Sequence, residues 1–141
     1  MTKLEVLSLT FDIYSSAEIL FLSSNKFSGQ LVMSQKAEIG SPLRGLYLSD
    51  NQFDGLIPLM LCEFKELEAI FLDENELTGN LPTCLSLLDK LTQLYVFKNQ
   101  LDGEIPQEFS VMLGLGKFVH VVLLVWVIVL LVATLTSYTR P

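Results

Sequence analysis

The sequence predicts an α/β-type solenoid of stacked, short-stranded repeats, followed by one C-terminal transmembrane α-helix. Three observations predict it. Asparagine recurs at Asn25, Asn51, Asn75 and Asn99, in steps of 26, 24 and 24 residues. Each asparagine follows an apolar-x-apolar pair, and this period of two turns both side chains to one face of a short strand. Near the C-terminus, Phe118 to Leu135 contains only His120 and Thr134 as residues that are not apolar.

The repeats have one frame. Leu20-x-Leu22-x-x-Asn25-x-Phe27-x-Gly29-x-Leu31 is the first full copy, and Leu46 to Pro58 the second. Ile70 to Pro82 and Leu94 to Pro106 are the third and fourth. Asparagine has both donors and an acceptor, so at a turn it satisfies backbone groups that would otherwise be orphaned. The glycine suits a bend where a Cβ would clash. Proline fixes the segment that follows and removes a donor. One unit cannot bury its apolar edge alone, but stacked units can. A fragment, Leu4-x-x-Leu7-x-Leu9, opens the chain with Asp12 in the asparagine register, as a compressed first copy. The insertion "SQKAEIGSP" lengthens the step between the first two full copies. The boundaries read as a degenerate repeat over 1–16, four repeats over 17–108, a juxtamembrane linker over 109–117, a transmembrane helix over 118–136 and a tail over 137–141.

The tail fits a membrane. Eighteen helical residues extend about 27 Å, close to the thickness of a hydrocarbon core. Lys117 at one end and Tyr138 with Arg140 at the other suit snorkelling and aromatic anchoring. Their charges leave the orientation open. Sixteen acidic and seven basic residues precede Ser110, a net charge of −9 that disfavours a nucleic-acid partner. No His/Cys cluster has metal-ligand spacing, and no cofactor is implied. The only histidine lies in the apolar tail, so no Ser–His–Asp set forms, and no enzyme is expected. "GLGK" at Gly114–Lys117 lacks the spacing and the hydroxyl of a phosphate loop. The acidic pairs Asp73/Glu74 and Asp50/Asp54 read as a solvated face.

The frame resembles the plant-type leucine-rich repeat, L-x-x-L-x-L-x-x-N-x-L-x-G-x-I-P. The resemblance covers residues 17–108 and implies a curved leucine-rich-repeat solenoid. A short parallel β-sheet would line its concave face, with turns or 3₁₀ segments on the convex face. "IPLMLCEFKELEAIFLDENELTGNLPTCLSLL" resembles late repeats of plant receptor-like proteins, which are kinase-less membrane receptors. That resemblance implies a Cys62–Cys84 disulfide in an oxidising compartment; two small buried thiols are the alternative. It also implies a peptide or protein ligand, a co-receptor kinase as partner and a single-pass plasma-membrane location. The start "MTKLEVLSLTF" has no signal-peptide core, no Cys-bearing caps flank the repeats, and no N-x-[ST] sequon occurs. A truncated or mis-spliced product without receptor activity is therefore an expectation beside the receptor-like one. A soluble inhibitor of a cell-wall enzyme is a third, which the tail opposes. Six residues follow Leu135, too few for a kinase lobe.

On the concave face, the residue between the two inward apolars is Phe21, Tyr47, Phe71 and Tyr95 in successive repeats. Beside them lie Ser23, Ser49, Asp73 and Phe97, and then Ser24, Asp50, Glu74 and Lys98. An aromatic ladder bordered by carboxylates suits a peptide carrying basic groups. Cross-strand packing that only stabilises the sheet is the plainer reading. The predicted ligand contacts are Phe21, Tyr47, Phe71, Tyr95, Asp73, Phe97, Asp50 and Glu74.

Overall fold

Because the copies share one frame, the apolar-x-apolar segment of each copy meets that of the next at the same positions. A computed structural model of the chain describes residues 7–9, 16–33 and 40–109. Nine short strands occur among them: β1 (Leu7–Leu9), β2 (Ile19–Phe21), β3 (Ser28–Met33), β4 (Gly45–Tyr47) and β5 (Gln52–Leu56), then β6 (Ala69–Phe71), β7 (Glu76–Gly79), β8 (Gln93–Tyr95) and β9 (Gln100–Leu101).

The apolar-x-apolar segments form one parallel sheet in the order β2-β4-β6-β8. Leu20, Leu46, Ile70 and Leu94 stand opposite one another, as the frame requires. The sequence led us to expect this sheet alone. The structure adds a second parallel sheet in the order β1-β3-β5-β7-β9, made by the segment after each asparagine. Its register is shifted by two residues against the repeat frame: Gly55, four residues past Asn51, pairs with Leu77, two past Asn75, and Gly79 pairs with Leu101 in the same way. A second departure concerns the opening fragment. Leu7–Leu9 pairs with Leu31–Met33 in the second sheet and does not extend the first.

Each coil returns along a third side. Pro58 and Pro82 precede the 3₁₀ segments Leu59–Glu63 and Thr83–Leu87, with φ of −65° and −60°. Proline is pre-set for that backbone value. Its carbonyl then accepts the N–H three residues on: Leu61 on Pro58 at 3.1 Å, Leu85 on Pro82 at 3.2 Å and Phe109 on Pro106 at 3.0 Å.

All three sides send side chains into one interior. Leu46, Leu48, Ile70, Leu72, Leu94 and Val96 enter from the first sheet, and Phe53 and Leu77 from the second. Leu61, Phe64, Leu67, Leu85, Leu88 and Leu91 enter from the outer side. At about 25 cal/mol per Å² of buried apolar surface, this shared interior is the main stabilising term. No helix among the described residues is long and apolar enough to cross a membrane. The predicted transmembrane segment 118–136, the linker from Ser110 onward and the tail lie outside the described residues, as does most of the insertion.

Candidate recognition surface

The asparagines hold the sheet face in place. Asn75 Nδ2 donates to Leu48 O at 3.0 Å, Leu72 O at 3.1 Å and Asp73 O at 3.1 Å, while its Oδ1 accepts from Phe53 N at 3.0 Å. Asn51 repeats the pattern with Leu22, Leu48, Ser49 and Phe27, and Asn99 with Leu72, Val96, Phe97 and Leu77. Each of these three ties its own turn to the preceding coil. Asn25, in the first full copy, donates among the described residues to Leu22 and Ser23 of its own turn.

The residue before each asparagine is left-handed: Ser24, Asp50, Glu74 and Lys98 have φ of 55°, 57°, 55° and 50°. This conformation is costly for side chains other than glycine. The sequence frame gave no sign of it, because four different residue types occupy the row. The turn imposes it, and the asparagine bonds to the two carbonyls that precede the left-handed residue sustain it. Glycine fills the positions where a Cβ has no room. Gly79 has φ +74°, and a Cβ there would stand 2.4 Å from Leu56 Cδ2.

The four predicted rings do form one ladder. Centroids are 4.6 Å apart from Phe21 to Tyr47, 4.7 Å from Tyr47 to Phe71 and 4.3 Å from Phe71 to Tyr95, all stacked. The pleat sets this spacing, since neighbouring strands lie about 4.8 Å apart. Phe97 meets Tyr95 edge-on at 6.1 Å. Phe21 ends the stack and is 69% exposed, while Tyr47, Phe71 and Tyr95 are half-buried. The stack is thus both cross-strand packing and an open ridge.

The border acids divide. Asp73 departs from the solvated face the sequence suggested. It is only 9% exposed, and Ser49 Oγ donates to its Oδ1 at 2.6 Å. Its carboxylate is committed within the sheet. Asp50 and Glu74 stay exposed, and Glu74 pairs with Lys98 Nζ at 2.7 Å. That hydrogen bond and the Glu74 charge hold the Lys98 ammonium above the ordinary lysine value. On the opposite border, Arg44 Nε and Nη2 both donate to Glu68 Oε1, at 2.9 and 2.8 Å. Between this border and the ladder lies an open hollow of about 270 Å³, lined by Glu18, Arg44, Gly45, Tyr47, Glu68 and Ala69 among others. The sequence reading missed it. Its signal was the pair of small residues, Gly45 and Ala69, just upstream of the rings.

On the outer side, the two 3₁₀ segments bring Cys62 and Cys84 together, with Cα atoms 5.8 Å apart and the sulfurs bonded at 2.02 Å. Among the described residues no group of three or more His, Cys, Asp or Glu side chains is placed to hold a metal ion.

Comparison with known proteins agrees with this architecture. The leucine-rich-repeat family model matches residues 42–64 and 90–112. No curated protein sequence matches the chain. Among solved structures, the ectodomain of BIR2 from Arabidopsis thaliana superposes with a TM-score of 0.66 at 30% identity, over 77% of this chain and 59% of that one. The Arabidopsis receptor kinase HAESA, solved in complex with the peptide hormone IDA and the co-receptor SERK1, gives 0.61 at 32% identity, over 68% of this chain and 16% of that one. A plant ice-binding protein gives 0.62 at 25% identity, over 74% and 34%. The chain spans less than two thirds of each of these structures. It carries leucine-rich repeats in parallel-stranded coils, and plant receptor ectodomains are among its structural neighbours.

Proposed function

We propose that the chain is a membrane-anchored recognition module of the receptor-like kind, which binds a peptide or protein segment on the face of its first sheet. The observation that carries this reading is the ridge of four rings, continuous across every strand of that sheet and open along one side. Rigid aromatics supply contact area at little entropic cost, which is why they dominate binding hot spots. Residues 118–136 anchor the chain in a single pass at the plasma membrane. Signalling falls to a partner that carries a kinase. The similarity to HAESA, which was solved in complex with a peptide hormone, supports a ligand of this class.

The test is a binding screen of the full chain in detergent against an immobilised array of random decapeptides. Tyr47→Ala with Phe71→Ala is expected to reduce binding by at least tenfold, with circular dichroism and a cooperative melt preserved. Retention of full affinity by that folded variant removes the sheet face as the site. The anchor is tested separately by washing membranes with alkaline carbonate. The chain is expected to stay in the pellet; release without detergent would return the reading to a soluble wall-associated inhibitor.

A further inference from the structure

The rings constrain what can lie on them. Tyr47 and Phe71 each have a neighbour stacked on both faces, so their edges, and not their faces, meet the solvent. Ring edges carry positive potential, and cations are drawn to ring faces. The middle of the ridge therefore suits apolar groups and offers no seat for a cation.

The borders supply what the ridge lacks. Among the described residues, both cations on this face are already engaged, Arg44 with Glu68 and Lys98 with Glu74. Neither has a free carboxylate-binding role for an acidic partner. Glu18 and Asp50 make no ion pair among the described residues, so each border has its uncompensated charge in the first two full copies, and that charge is negative. Lys26 likewise makes no ion pair among the described residues.

The hollow holds the first of these two charges, Glu18. Gly45 makes it possible: a Cβ there would stand 2.8 Å from the Tyr47 ring and 3.3 Å from Ile19. Without that Cβ, the ring leans over the strand and becomes a wall of the hollow. Ile19, Ala69 and the Tyr47 ring add apolar surface, and Thr92 and Gln93 add polar surface. Of the charged lining residues, Arg44 and Glu68 neutralise each other, which leaves the Glu18 carboxylate as the net charge of the hollow. A part-apolar wall with one unpaired carboxylate fits an amphipathic cation, whose methylene stem packs while its head stays hydrated.

We propose that the segment held on this face carries a lysine or arginine whose side chain enters the hollow beside Tyr47, with its apolar side chains laid along the ring edges. This rests on the recognition reading above. The negative field is visible in Arg44 itself, whose guanidinium is held above its ordinary value by the Glu68 hydrogen bond, then by the Glu68 charge, with Glu18 and Glu66 adding to it.

The experiment starts from the decapeptide array. Peptides retained by the wild-type chain are expected to be enriched in lysine or arginine within apolar sequences. One retained arginine peptide is then compared with its citrulline counterpart, which keeps the shape and loses the charge. Citrulline is expected to weaken binding about fivefold to tenfold at low salt, and the gap is expected to shrink as salt rises. Glu18→Gln is expected to narrow the same gap while leaving the affinity of the citrulline peptide unchanged. Glu18→Lys, a surface change that spares the interior, is expected to abolish the preference. Equal binding of the two peptides, or a gap that Glu18→Gln leaves intact, overturns the hollow as a cation site. If their affinity still falls with the Tyr47→Ala and Phe71→Ala variant, the broader recognition reading stands. An array from which nothing is retained overturns both. Retention of acidic peptides, or self-association blocked by Glu18→Lys, assigns the face to a different occupant.

Discussion

At the scale of single residues, Asn75 shows how one side chain sets a whole coil. Its four bonds satisfy two carbonyls of its own turn, one carbonyl of the preceding coil and the Phe53 amide. The site is buried, so removing the side chain leaves donors and acceptors without water. Asn75→Ala is expected to cost about 3 kcal/mol, whereas Asn25→Ala, exposed and bonded among the described residues within its own turn, is expected to cost under about 1 kcal/mol. Urea denaturation of the two variants checks the ratio. Gly79 illustrates a different constraint. Gly79→Ala meets both a left-handed backbone and Leu56 Cδ2, for an expected loss of about 2 kcal/mol. Adding Leu56→Ala in a double-mutant cycle is expected to restore the steric part and leave the conformational part. By contrast, the exposed Arg44–Glu68 and Lys98–Glu74 pairs contribute little to stability. Raised cation values add stability that is present below the unfolded value and lost only as pH rises through the folded one. For Lys98 that window lies above the ordinary lysine value of 10.5, so these pairs are expected to leave the denaturation midpoint flat between neutral pH and pH 9.

At the scale of elements, each coil is a three-sided unit whose sides are legible to different degrees. The first sheet was fully legible, because a period of two and a repeat of 24 residues fix both its inward and its outward rows. The stacked rings follow from that register alone. The second sheet was hidden. Its strands follow the asparagine, where glycine and polar residues break any alternation, and they pair two residues out of the repeat frame, which the frame does not show. The hollow was hidden for a related reason: it is made by what Gly45 and Ala69 lack. Asp73 read as solvated because its burial comes from Ser49 of the preceding coil, at a separation of 24 residues. The Cys62–Cys84 link joins the outer sides of two coils at a sequence separation of 22. A closed loop of that size stabilises the fold by about 3 kcal/mol on the chain-entropy model. Cys62→Ser with Cys84→Ser is expected to lower the midpoint in oxidising buffer and to leave it unchanged under reduction, as read by thermal melts with and without dithiothreitol.

At the scale of the whole molecule, stability and recognition share one design. Coils that contact only their neighbours have their interior completed from both sides in the centre of the stack and from one side at its ends. Hydrogen exchange is expected to be slowest in Leu46–Leu48 and Ile70–Leu72 and fastest in Ile19–Phe21 and Gln100–Leu101. The same stacking that builds the interior repeats one ring per coil on the sheet face, so a binding ridge is a by-product of equal repeat length. A sequence that places rings at four equivalent positions on such a sheet has a continuous apolar line to offer an extended partner. The most direct measurement is hydroxyl-radical footprinting of the full chain in detergent, with and without a decapeptide retained from the array. Modification of Tyr47, Phe71 and Tyr95 is expected to fall on binding, while Leu59 and Leu87 on the 3₁₀ segments react as before. Protection of Leu59 and Leu87 with the three rings unchanged would contradict the assignment of the sheet face as the binding surface.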